Sequence, residues 1–417
     1  MKKNVKHSVL WALTTTLLLG SVITACTPAS SEPNDTSQEI TGQVEVTTND
    51  PQDTSDVTVG TQDTTDIEAD TTEDTQPSAP DSVIDALSPA YGETVVVASA
   101  QVAEYASKYT IGSSAKYHSS GDIYIPLPIT LTWEDVGADC YRVRMATDET
   151  FSDSQVVLTA GTSASFTNPL VATTYYWQVE ALYQDKTDVS AIFSFQTANT
   201  PRTVYIDGVT NSRDIGGYAT GEGTRLRQGM VYRSSYLVNI TEEGIYQARE
   251  ELGIRCELDV RTPGEGGAGK KSPLGDDIIY HNIDGIYYEG IKDSKRQATL
   301  AQEIKVFADP NNYPMLIHCS YGRDRTGTLA MIIMALCGVS EEDILMDYEL
   351  SFFCEFCCNE STSIHVDGNM RPTIKYIKSF GRTRDSLQYC AEKYCLSIGV
   401  TQEEIDSIRS ILVEEVK

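Results

Sequence analysis

The stretch that decides the fold of the C-terminal half covers residues 315–327 and reads Met-Leu-Ile-His-Cys-Ser-Tyr-Gly-Arg-Asp-Arg-Thr-Gly. Its apolar start predicts a buried strand that ends at Cys319, and a helix is predicted to begin near Arg325. Between them, a loop that contains Gly322 turns successive backbone N–H groups inward, and the helix adds the positive end of its dipole. The stretch therefore predicts an anion-binding loop with a cysteine at its base.

The side chains of this loop predict phosphate chemistry. The positive surroundings favour the thiolate form of Cys319, which is the nucleophilic form of a cysteine. Arg325 follows six residues later, and its guanidinium can hold two phosphate oxygens in fork geometry. The alternative interpretation is a buried cysteine before an ordinary helix. We expect Cys319 and Arg325 to be catalytic, and further loop residues to contact the substrate: Ser320, Tyr321, Gly322, Arg323 and Thr326.

Around this loop, short apolar strands alternate with helices from Val204 onward. Strands are predicted at 254–260, 278–283 and 315–319, and helices at 241–252, 300–307 and 327–336. Further helical patterns cover 341–353, 373–380, 386–396 and 402–413. Such alternation is typical of a parallel sheet covered by helices on both faces. We therefore predict that residues 201–417 form one α/β domain with a parallel central sheet and a helical lid.

Residues 123–200 follow a different pattern. Apolar and polar residues alternate with period two in the runs 129–133, 141–145, 175–182 and 191–197. Short strands of this kind, separated by turn residues, predict a β-sandwich. The tryptophans and tyrosines of these runs resemble a fibronectin type III module, which implies a spacer or an adhesion module with a protein or glycan ligand. No element is assigned to residues 93–122, except a short helix at 100–109.

The N-terminus has the features of a processing signal. A basic start is followed by an apolar run at 10–22, which is too short to span a membrane comfortably. It ends in Ile-Thr-Ala-Cys, which resembles a bacterial lipobox and implies a signal peptide over residues 1–25 and lipidation of Cys26. The alternative is an ordinary signal peptide with a chance cysteine. We expect a lipid-anchored, extracytoplasmic protein of the bacterial cell envelope.

The segment 26–92 is rich in Thr, Ser, Asp and Glu, and from Cys26 to Tyr91 it contains no Lys or Arg. Such a composition cannot bury enough apolar area to form a core, so we predict a disordered acidic tether. The 417-residue chain has a net charge of −28, and no basic face is evident in its sequence. A nucleic-acid partner is therefore excluded, because phosphate neutralisation needs such a face.

Of the ten cysteines, the eight other than Cys26 and Cys319 are expected to be mostly buried free thiols, because a catalytic thiol must stay reduced. Cys354, Cys357 and Cys358 form the densest group and could be interpreted as a metal site. However, zinc sites usually combine two Cys-x-x-Cys pairs or add histidines at fixed spacing, and here only His365 is near. Buried thiols beneath the helical lid are the favoured interpretation.

The loop resembles that of the bacterial tyrosine phosphatase family, which reads His-Cys-x-x-Gly-Lys-Asp-Arg-Thr-Gly. This family includes secreted mycobacterial and listerial enzymes that act on phosphotyrosine and phosphoinositides. Three further stretches resemble family signatures and extend the resemblance over residues 205–415: 211–218, 227–234 and 258–265. The resemblance implies the family's fold and hydrolysis through a cysteinyl phosphate on Cys319. Arg213 and Asp214, in the first signature, become candidate substrate-binding residues. Ser212 and Arg323 replace the family's aromatic residue and loop lysine.

A leaving tyrosyl oxygen needs a proton, so a general acid is expected. The resemblance favours Asp324, since the family's loop carries its own aspartate. Asp284 and Asp259 remain alternatives, because the wider superfamily uses an aspartate on a separate loop before the cysteine. The purely structural alternatives are an ion pair between Asp324 and an arginine such as Arg213, and a role for Asp259 as an anchor at the end of the sheet.

Two neighbours of the cysteine receive supporting roles. Thr326 is expected to hydrogen-bond the Cys319 sulfur and to help it leave in the hydrolysis step. His318 is expected to shape the loop through buried hydrogen bonds. No metal or organic cofactor is expected, because the loop dipoles and Arg325 stabilise the charge that a metal would otherwise stabilise.

Together, these features predict a phosphatase for phosphate monoesters, with protein phosphotyrosine as the favoured substrate and dual specificity as a variant of it. A phosphoinositide or inositol-phosphate phosphatase on the same site is the alternative, and the positive charge of Arg323 is compatible with it. An alternative from another class is a catalytically inert surface-binding lipoprotein. The intact set of Cys319, Asp324 and Arg325 argues against that reading.

Overall fold

The computed structural model describes residues 78–117, 121–357 and 360–416. The predicted signal peptide, the lipidation site Cys26 and most of the predicted tether lie outside the described residues, as does Cys358. Among the residues that the structure describes, no helix has both the length and the apolar character needed to cross a membrane.

The first part of the described chain consists of two facing sheets. Its strands are β1 (Ala86–Ser88), β2 (Thr94–Val95), β3 (Ile129–Trp133), β4 (Cys140–Ala146), β5 (Gln155–Thr159), β6 (Ser163–Phe166), β7 (Thr174–Leu182), β8 (Thr187–Val189) and β9 (Phe193–Thr197). One sheet has the order β1-β3-β6, and the other has the order β2-β9-β7-β4-β5 with β8 on β7. Alternate residues of both sheets, including Trp133 and Trp177, form one core. The fibronectin type III identity of this module stays a prediction.

This module begins earlier than the sequence predicted. β1 lies within the predicted tether 26–92 and pairs with β3, with Ala86 opposite Trp133. β2 lies in the unassigned region and pairs with β9. Strands of two or three residues are too short to show a period-two pattern, which is why the sequence does not reveal them.

The region 100–117 packs on the C-terminal part of the chain. Helix α1 (Ala100–Ser107) agrees with the predicted short helix, and Ser99 caps it by accepting a hydrogen bond from the Val102 N–H. The carboxylate of Glu349 accepts hydrogen bonds from the Tyr109 hydroxyl at 3.2 Å and from the backbone N–H groups of Gly112 and Ser114 at 2.7 and 3.2 Å. This segment is therefore joined to the second core rather than forming a linker.

The second part of the chain has a central sheet of five strands in the order β10-β13-β16-β14-β15. These strands are β10 (Arg213–Asp214), β13 (Val231–Ser234), β14 (Cys256–Asp259), β15 (Ile279–Asn282) and β16 (Met315–His318). β13, β16, β14 and β15 run parallel, as predicted, whereas the edge strand β10 is antiparallel to β13. A separate antiparallel sheet contains β11 (Ala219–Gly221), β12 (Thr224–Leu226) and β17 (Val413–Glu415).

Helices surround this sheet. They are α2 (Glu242–Tyr246), α3 (Gln297–Val306), α4 (Asp324–Cys337), α5 (Glu341–Glu349), α6 (Thr362–His365), α7 (Arg371–Lys378), α8 (Leu387–Ser397) and α9 (Gln402–Leu412). Every residue of α4 from Thr326 to Cys337 is buried. A helix that is apolar all round is stable only inside a core. The helix that follows the cysteine loop is therefore the central helix of the domain, and it holds the loop in place.

Polar contacts join the two parts of the chain. Arg202 is buried and pairs with Asp214 of β10 at 2.6 Å, while its other nitrogens donate to the carbonyls of Asn168 and Pro169. The Gln228 side chain exchanges two hydrogen bonds with the backbone of Val171. Asp214 thus belongs to the joint between the two parts.

Candidate active site

The cysteine loop, residues 319–323, connects β16 to α4. At Gly322 the backbone has a φ of +70°, a conformation that glycine adopts without strain. A Cβ at this position would lie 2.3 Å from the carbonyl oxygen of Ser234, at the end of β13. The Gly322 N–H points at the Cys319 sulfur from 3.3 Å. The loop thus turns a backbone donor inward, and it packs against the neighbouring strand so closely that only glycine fits.

Cys319 lies at the base of a cleft of about 510 Å³. Cys319 is only 2% exposed. The lining consists of Glu265, Tyr287, Tyr288, Cys319, Ser320, Tyr321, Arg323, Asp324, Arg325 and His365. The structure therefore brings together most of the loop residues that the sequence singled out, and it adds four residues from three other segments.

Arg325 sits at the mouth of the loop in a fork-like ion pair with Glu265. Its Nη1 and Nη2 atoms lie 2.7 and 2.8 Å from the two carboxylate oxygens, and Ser320 donates to the same carboxylate. The hydrogen bond and charge of Arg325, opposed by partial burial, lower the pKa of Glu265 to about 2. The guanidinium of Arg325 thus makes the two parallel hydrogen bonds expected with a phosphate, but it makes them with the carboxylate of Glu265. Glu265 ends the third family-like stretch, but its contact with Arg325 is visible only in the structure.

His318 anchors the loop from below. Its Nε2 lies 2.9 Å from a carboxylate oxygen of Glu257, and all of these atoms are buried. Among the described residues, Glu257, Asp259 and His318 form the group whose atoms are close enough to hold a metal ion. Each of the two acids already has other partners, because Ser272 donates to Glu257 and Arg261 donates to both oxygens of Asp259. The buried hydrogen bonds expected of His318 are confirmed, and Asp259 lies outside the cleft.

Two predicted substrate-binding residues are instead part of the buried framework. Arg213 is 2% exposed and donates to Asp347 of α5 from 2.8 Å, so it neither lines the cleft nor pairs with Asp324. Asp214 pairs with Arg202, as described above. Arg233 also pairs with Asp347 and donates to the Gly322 carbonyl at 2.8 Å. Arg233 therefore supports the loop directly, and Arg213 shares its partner Asp347. Burial raises the pKa of Asp347, but the two arginines more than offset it, so the pKa lies below its ordinary value.

Thr326 also differs from the expectation. Its hydroxyl is buried and has no hydrogen-bond partner, so the predicted bond to the Cys319 sulfur is not formed. Thr326 lies in the first turn of α4, where it is buried. The donor that does face the sulfur is the Gly322 N–H.

The three candidate general acids have different surroundings. Asp324 lines the cleft, and Arg323 donates to both of its oxygens at 3.0 and 3.2 Å. Asp284 accepts hydrogen bonds from Thr262 at 2.7 Å and from Arg296 at 3.1 Å. Asp259 is fully buried. Of the three, Asp324 therefore has the position of a residue that touches a bound substrate.

The described cysteines are free, and all except the half-buried Cys140 are buried. Cys354 and Cys357 share a side-chain hydrogen bond. The hydrogen bond from Cys354 and the charge of Arg323 lower the pKa of Cys357 against the effect of burial. The cysteine that follows them in sequence lies outside the described residues. The two described thiols of the group agree with the interpretation as buried thiols.

A cysteine at the base of an anion-binding loop, with an arginine at its mouth, defines a phosphatase-like site of the cysteine-dependent class. The model of the tyrosine phosphatase family matches residues 204–414, which is just over half of the 417-residue chain. The chain belongs to the tyrosine phosphatase family.

Two curated relatives support this membership. The "Putative tyrosine-protein phosphatase H16_A0669" of Cupriavidus necator is 30% identical over 168 residues, which cover 34% of this chain and 60% of that protein. The "Putative tyrosine-protein phosphatase OCA1" of Meyerozyma guilliermondii is 36% identical over 74 residues, which cover 16% of this chain and 37% of that protein. The chain spans less than two thirds of the length of either relative.

Among solved structures, the catalytic core of the PP-IP phosphatase SIW14 from S. cerevisiae is 22% identical with a TM-score of 0.25 and covers 40% of this chain and 91% of that one. TpbA from P. aeruginosa is 15% identical with a TM-score of 0.25 and covers 36% of this chain and 88% of that one. Neither likeness is close enough to carry a conclusion about the substrate of this chain.

Proposed function

We propose that this protein hydrolyses phosphate monoesters through a cysteinyl phosphate on Cys319, and that its substrate is phosphotyrosine in proteins. The observation that carries the proposal is the arrangement at the base of the cleft. Cys319 lines the cleft, the Gly322 N–H points at its sulfur from 3.3 Å, and the Nη atoms of Arg325 make paired hydrogen bonds with the carboxylate of Glu265.

The proposed reaction has two steps. The Cys319 thiolate attacks phosphorus while the bond to the leaving oxygen breaks, and water then attacks phosphorus and releases the thiolate. In both steps, negative charge is spread over the equatorial phosphate oxygens. Backbone N–H groups of the loop and the guanidinium of Arg325 are placed to stabilise that charge. Glu265 holds the guanidinium in position before the substrate arrives.

The rim of the cleft supports an aromatic substrate. Tyr321 lines the cleft and is 44% exposed, and its ring contacts Phe356 with a centroid distance of 6.1 Å. Phe356 in turn stacks on Tyr236. Tyr287, at 58% exposure, offers a further ring at the cleft. Flat apolar faces of this kind gain free energy by packing against an aryl ring, which an inositol ring does not offer.

The charge around the cleft disfavours the inositol-phosphate alternative. That alternative needs free cations for additional phosphates, and Arg323 was its candidate. Arg323 is buried and already paired with two carboxylates, Asp324 at 3.0 Å and Glu360 at 3.0 Å. Glu265 and Asp324 are the two carboxylates in the cleft lining. A substrate with one phosphate on an aryl ring fits these surroundings better than a polyanion.

We also propose that the protein is anchored to the bacterial cell envelope through a lipid on Cys26, with the acidic tether between the anchor and the described part. The support is the Ile-Thr-Ala-Cys stretch at 23–26 and the basic, apolar segment before it. The two-sheet module is proposed to act as a spacer or as an adhesion module for a protein or glycan.

The phosphatase activity is tested with the full chain and three substrates: a phosphotyrosine peptide, a phosphoserine peptide and an inositol phosphate. We expect turnover of the phosphotyrosine peptide, no dependence on a chelator, and loss of activity in Cys319→Ser. Cys140→Ser, a cysteine of the two-sheet module, is the matched control and should keep full activity. Retained activity in Cys319→Ser would overturn the proposal, and preferential turnover of the inositol phosphate would overturn its substrate class.

A further inference from the structure

A second cleft lies next to the cleft that contains Cys319. Its volume is about 770 Å³, compared with about 510 Å³ for the active-site cleft. Two chain segments border both clefts. In the first segment, Tyr288 lines the active-site cleft and Glu289 lines the second one. In the other, His365 lines the active-site cleft and Asp367 lines the second one. The two clefts thus share a border, and an extended ligand can occupy both.

The shared border is short enough for a peptide to cross. One part of it is the five-residue 3₁₀-helix Tyr288–Lys292, whose last residue lines the second cleft. Such a helix rises about 2 Å per residue, so its ends lie roughly 8 Å apart. An extended peptide advances about 3.3 Å per residue and covers this distance in about three residues. A peptide held by its phosphorylated side chain in the active-site cleft therefore reaches the second cleft with residues nearby in its sequence.

Helix α7 supplies a row of cations to the second cleft. Arg371, Lys375 and Lys378 are exposed and follow one another at helical spacing, so they lie on one face of the helix. Lys292 adds a fourth cation from the 3₁₀-helix, and its ammonium group lies 5.4 Å from the centre of the Tyr376 ring. The chain has 32 basic residues against 60 acidic ones, so this group of cations departs from its overall composition.

Lys375 is the cation of this group that is free to bind a ligand. The other three pair with carboxylates of the same cleft: Lys292 with Glu289, Arg371 with Asp367, and Lys378 with Glu341. Within the part of the chain that the structure describes, Lys375 has no ion pair. Ion pairs between exposed side chains are weak, so the three paired cations can also exchange partners. A carboxylate that enters the cleft therefore meets an unpaired ammonium group.

The charge balance of the second cleft favours an acidic peptide over an anionic membrane surface. Four cations face three carboxylates in its lining, which leaves one positive charge in excess. Attraction to anionic headgroups is built up from clusters of free cations, which this cleft does not offer. One or two carboxylates of Asp or Glu side chains match the excess charge. Exposed charges are screened beyond about 10 Å at about 0.1 M salt, so the local cation outweighs the net charge of −28.

We propose that the second cleft binds acidic side chains that flank the phosphotyrosine of a substrate protein, with Lys375 as their main contact. This inference rests on the proposed phosphatase function and narrows its substrate class. The acidic residues stand about three to six positions from the phosphotyrosine, since the row of cations on α7 is itself roughly 10 Å long. Lys375 determines specificity and does not touch the reacting atoms.

The test uses the full chain and three phosphotyrosine peptides that carry Glu, Gln or Lys at about three to six positions from the phosphotyrosine. One set places these residues before it and a second set places them after it. We expect the wild type to prefer the Glu peptide to the Gln peptide about fivefold to tenfold in kcat/KM in one of the sets, because an exposed ion pair contributes up to about fivefold. The preference should lie in KM, since contacts remote from the reacting atoms bind substrate and transition state equally.

Variants of Lys375 assign the preference to this side chain. Lys375→Glu should turn over the Lys peptide better than the Glu peptide, whereas Lys375→Arg should keep the wild-type order. Lys186→Glu makes the same change of charge in the two-sheet module, lines neither cleft and should match the wild type. Each value is divided by kcat/KM for nitrophenyl phosphate, which is too small to reach the second cleft, so that a general loss of activity cancels.

Salt supplies a further readout. Raising it from about 0.05 M to about 0.5 M should weaken the preference for the Glu peptide, because the ion pair is exposed. Equal turnover of the Glu and Gln peptides in both sets, or an unchanged order in Lys375→Glu, would overturn the inference. Sedimentation with phosphatidylserine vesicles that depends on Lys375, without any peptide preference, would assign the cleft to a membrane instead. The proposed function fails separately, if Cys319→Ser keeps its activity.

Discussion

The cysteine loop and the segment that carries His365 border the same cleft, but they are held by different forces. The loop, residues 319–323, lies between a buried strand and a buried helix, and the buried ion pairs of Asp347 support it from behind. Tyr287, Tyr288 and His365 form another part of the cleft lining, here called the wall. These residues lie in short segments, and hydrogen bonds of partly exposed side chains hold them in place. The difference indicates that Cys319 is placed by the core of the fold, whereas the wall is placed by a local polar network.

The largest effect should come from the ion pairs behind the loop. Asp347→Ala leaves Arg213 and Arg233 buried without their carboxylate, and breaking a buried pair in this way costs about 3–5 kcal/mol. Urea unfolding measures the change in the free energy of unfolding. Glu342→Ala, on the exposed side of the same helix, serves as the control. A loss below about 1 kcal/mol would mean that the loop does not depend on this support.

The next effect tests the loop itself. Gly322→Ala places a methyl group 2.3 Å from the Ser234 carbonyl and forces a side chain into a positive φ. The loop must shift, and the Gly322 N–H moves away from the sulfur. Loss of one well-placed donor typically lowers kcat about 10²- to 10³-fold, and we expect a loss in this range with phosphotyrosine. Activity close to that of the wild type would show that the geometry of the cysteine loop does not limit the rate, and that the wall of Tyr287, Tyr288 and His365 does.

A smaller effect concerns the buried carboxyl group of Glu303. Glu303 of α3 is buried, and burial, lessened by Arg296 and enhanced by Asp284, raises its pKa to about 8. Since the ordinary value is 4.5, the folded state holds this proton more tightly, and stability should decline as pH rises from about 4.5 through 8. Glu303→Gln should remove this decline. Thermal unfolding between pH 5 and 9 measures it, with the exposed Glu403→Gln as the control; parallel curves for wild type and Glu303→Gln would contradict the expectation.

The same contrast explains what the sequence could predict. The strand, the loop and the start of α4 are contiguous in sequence, and the predicted helix start near Arg325 lies within one residue of the observed Asp324. Tyr288 and His365 are separated from the loop by long stretches of chain, so no local pattern could place them in the cleft. His365 was noted only as a neighbour of the cysteine group.

The misplaced predictions have a common physical cause. Arg213 and Asp214 are polar residues in a family signature, and the sequence alone does not distinguish a charge that faces a substrate from a charge that is buried and paired. The position of Thr326 after the arginine predicts a bond to the sulfur, but its hydroxyl is buried without a hydrogen-bond partner. Glu265 lies at the end of a family-like stretch, yet only the structure shows that it pairs with Arg325.

The contacts of Glu349 with the segment 109–114 limit where the chain can be truncated without loss of support for the catalytic site. A protein shortened to begin at residue 201 would lack the Tyr109 hydroxyl and the two backbone N–H groups that this buried carboxylate accepts from. Glu349 ends α5, whose Asp347 holds both loop-supporting arginines. Truncating the chain at the boundary between its two parts would therefore remove contacts that hold α5, and would weaken the ion pairs behind the cysteine loop. Preparations meant to retain full turnover should keep the chain from at least Ser99 onward.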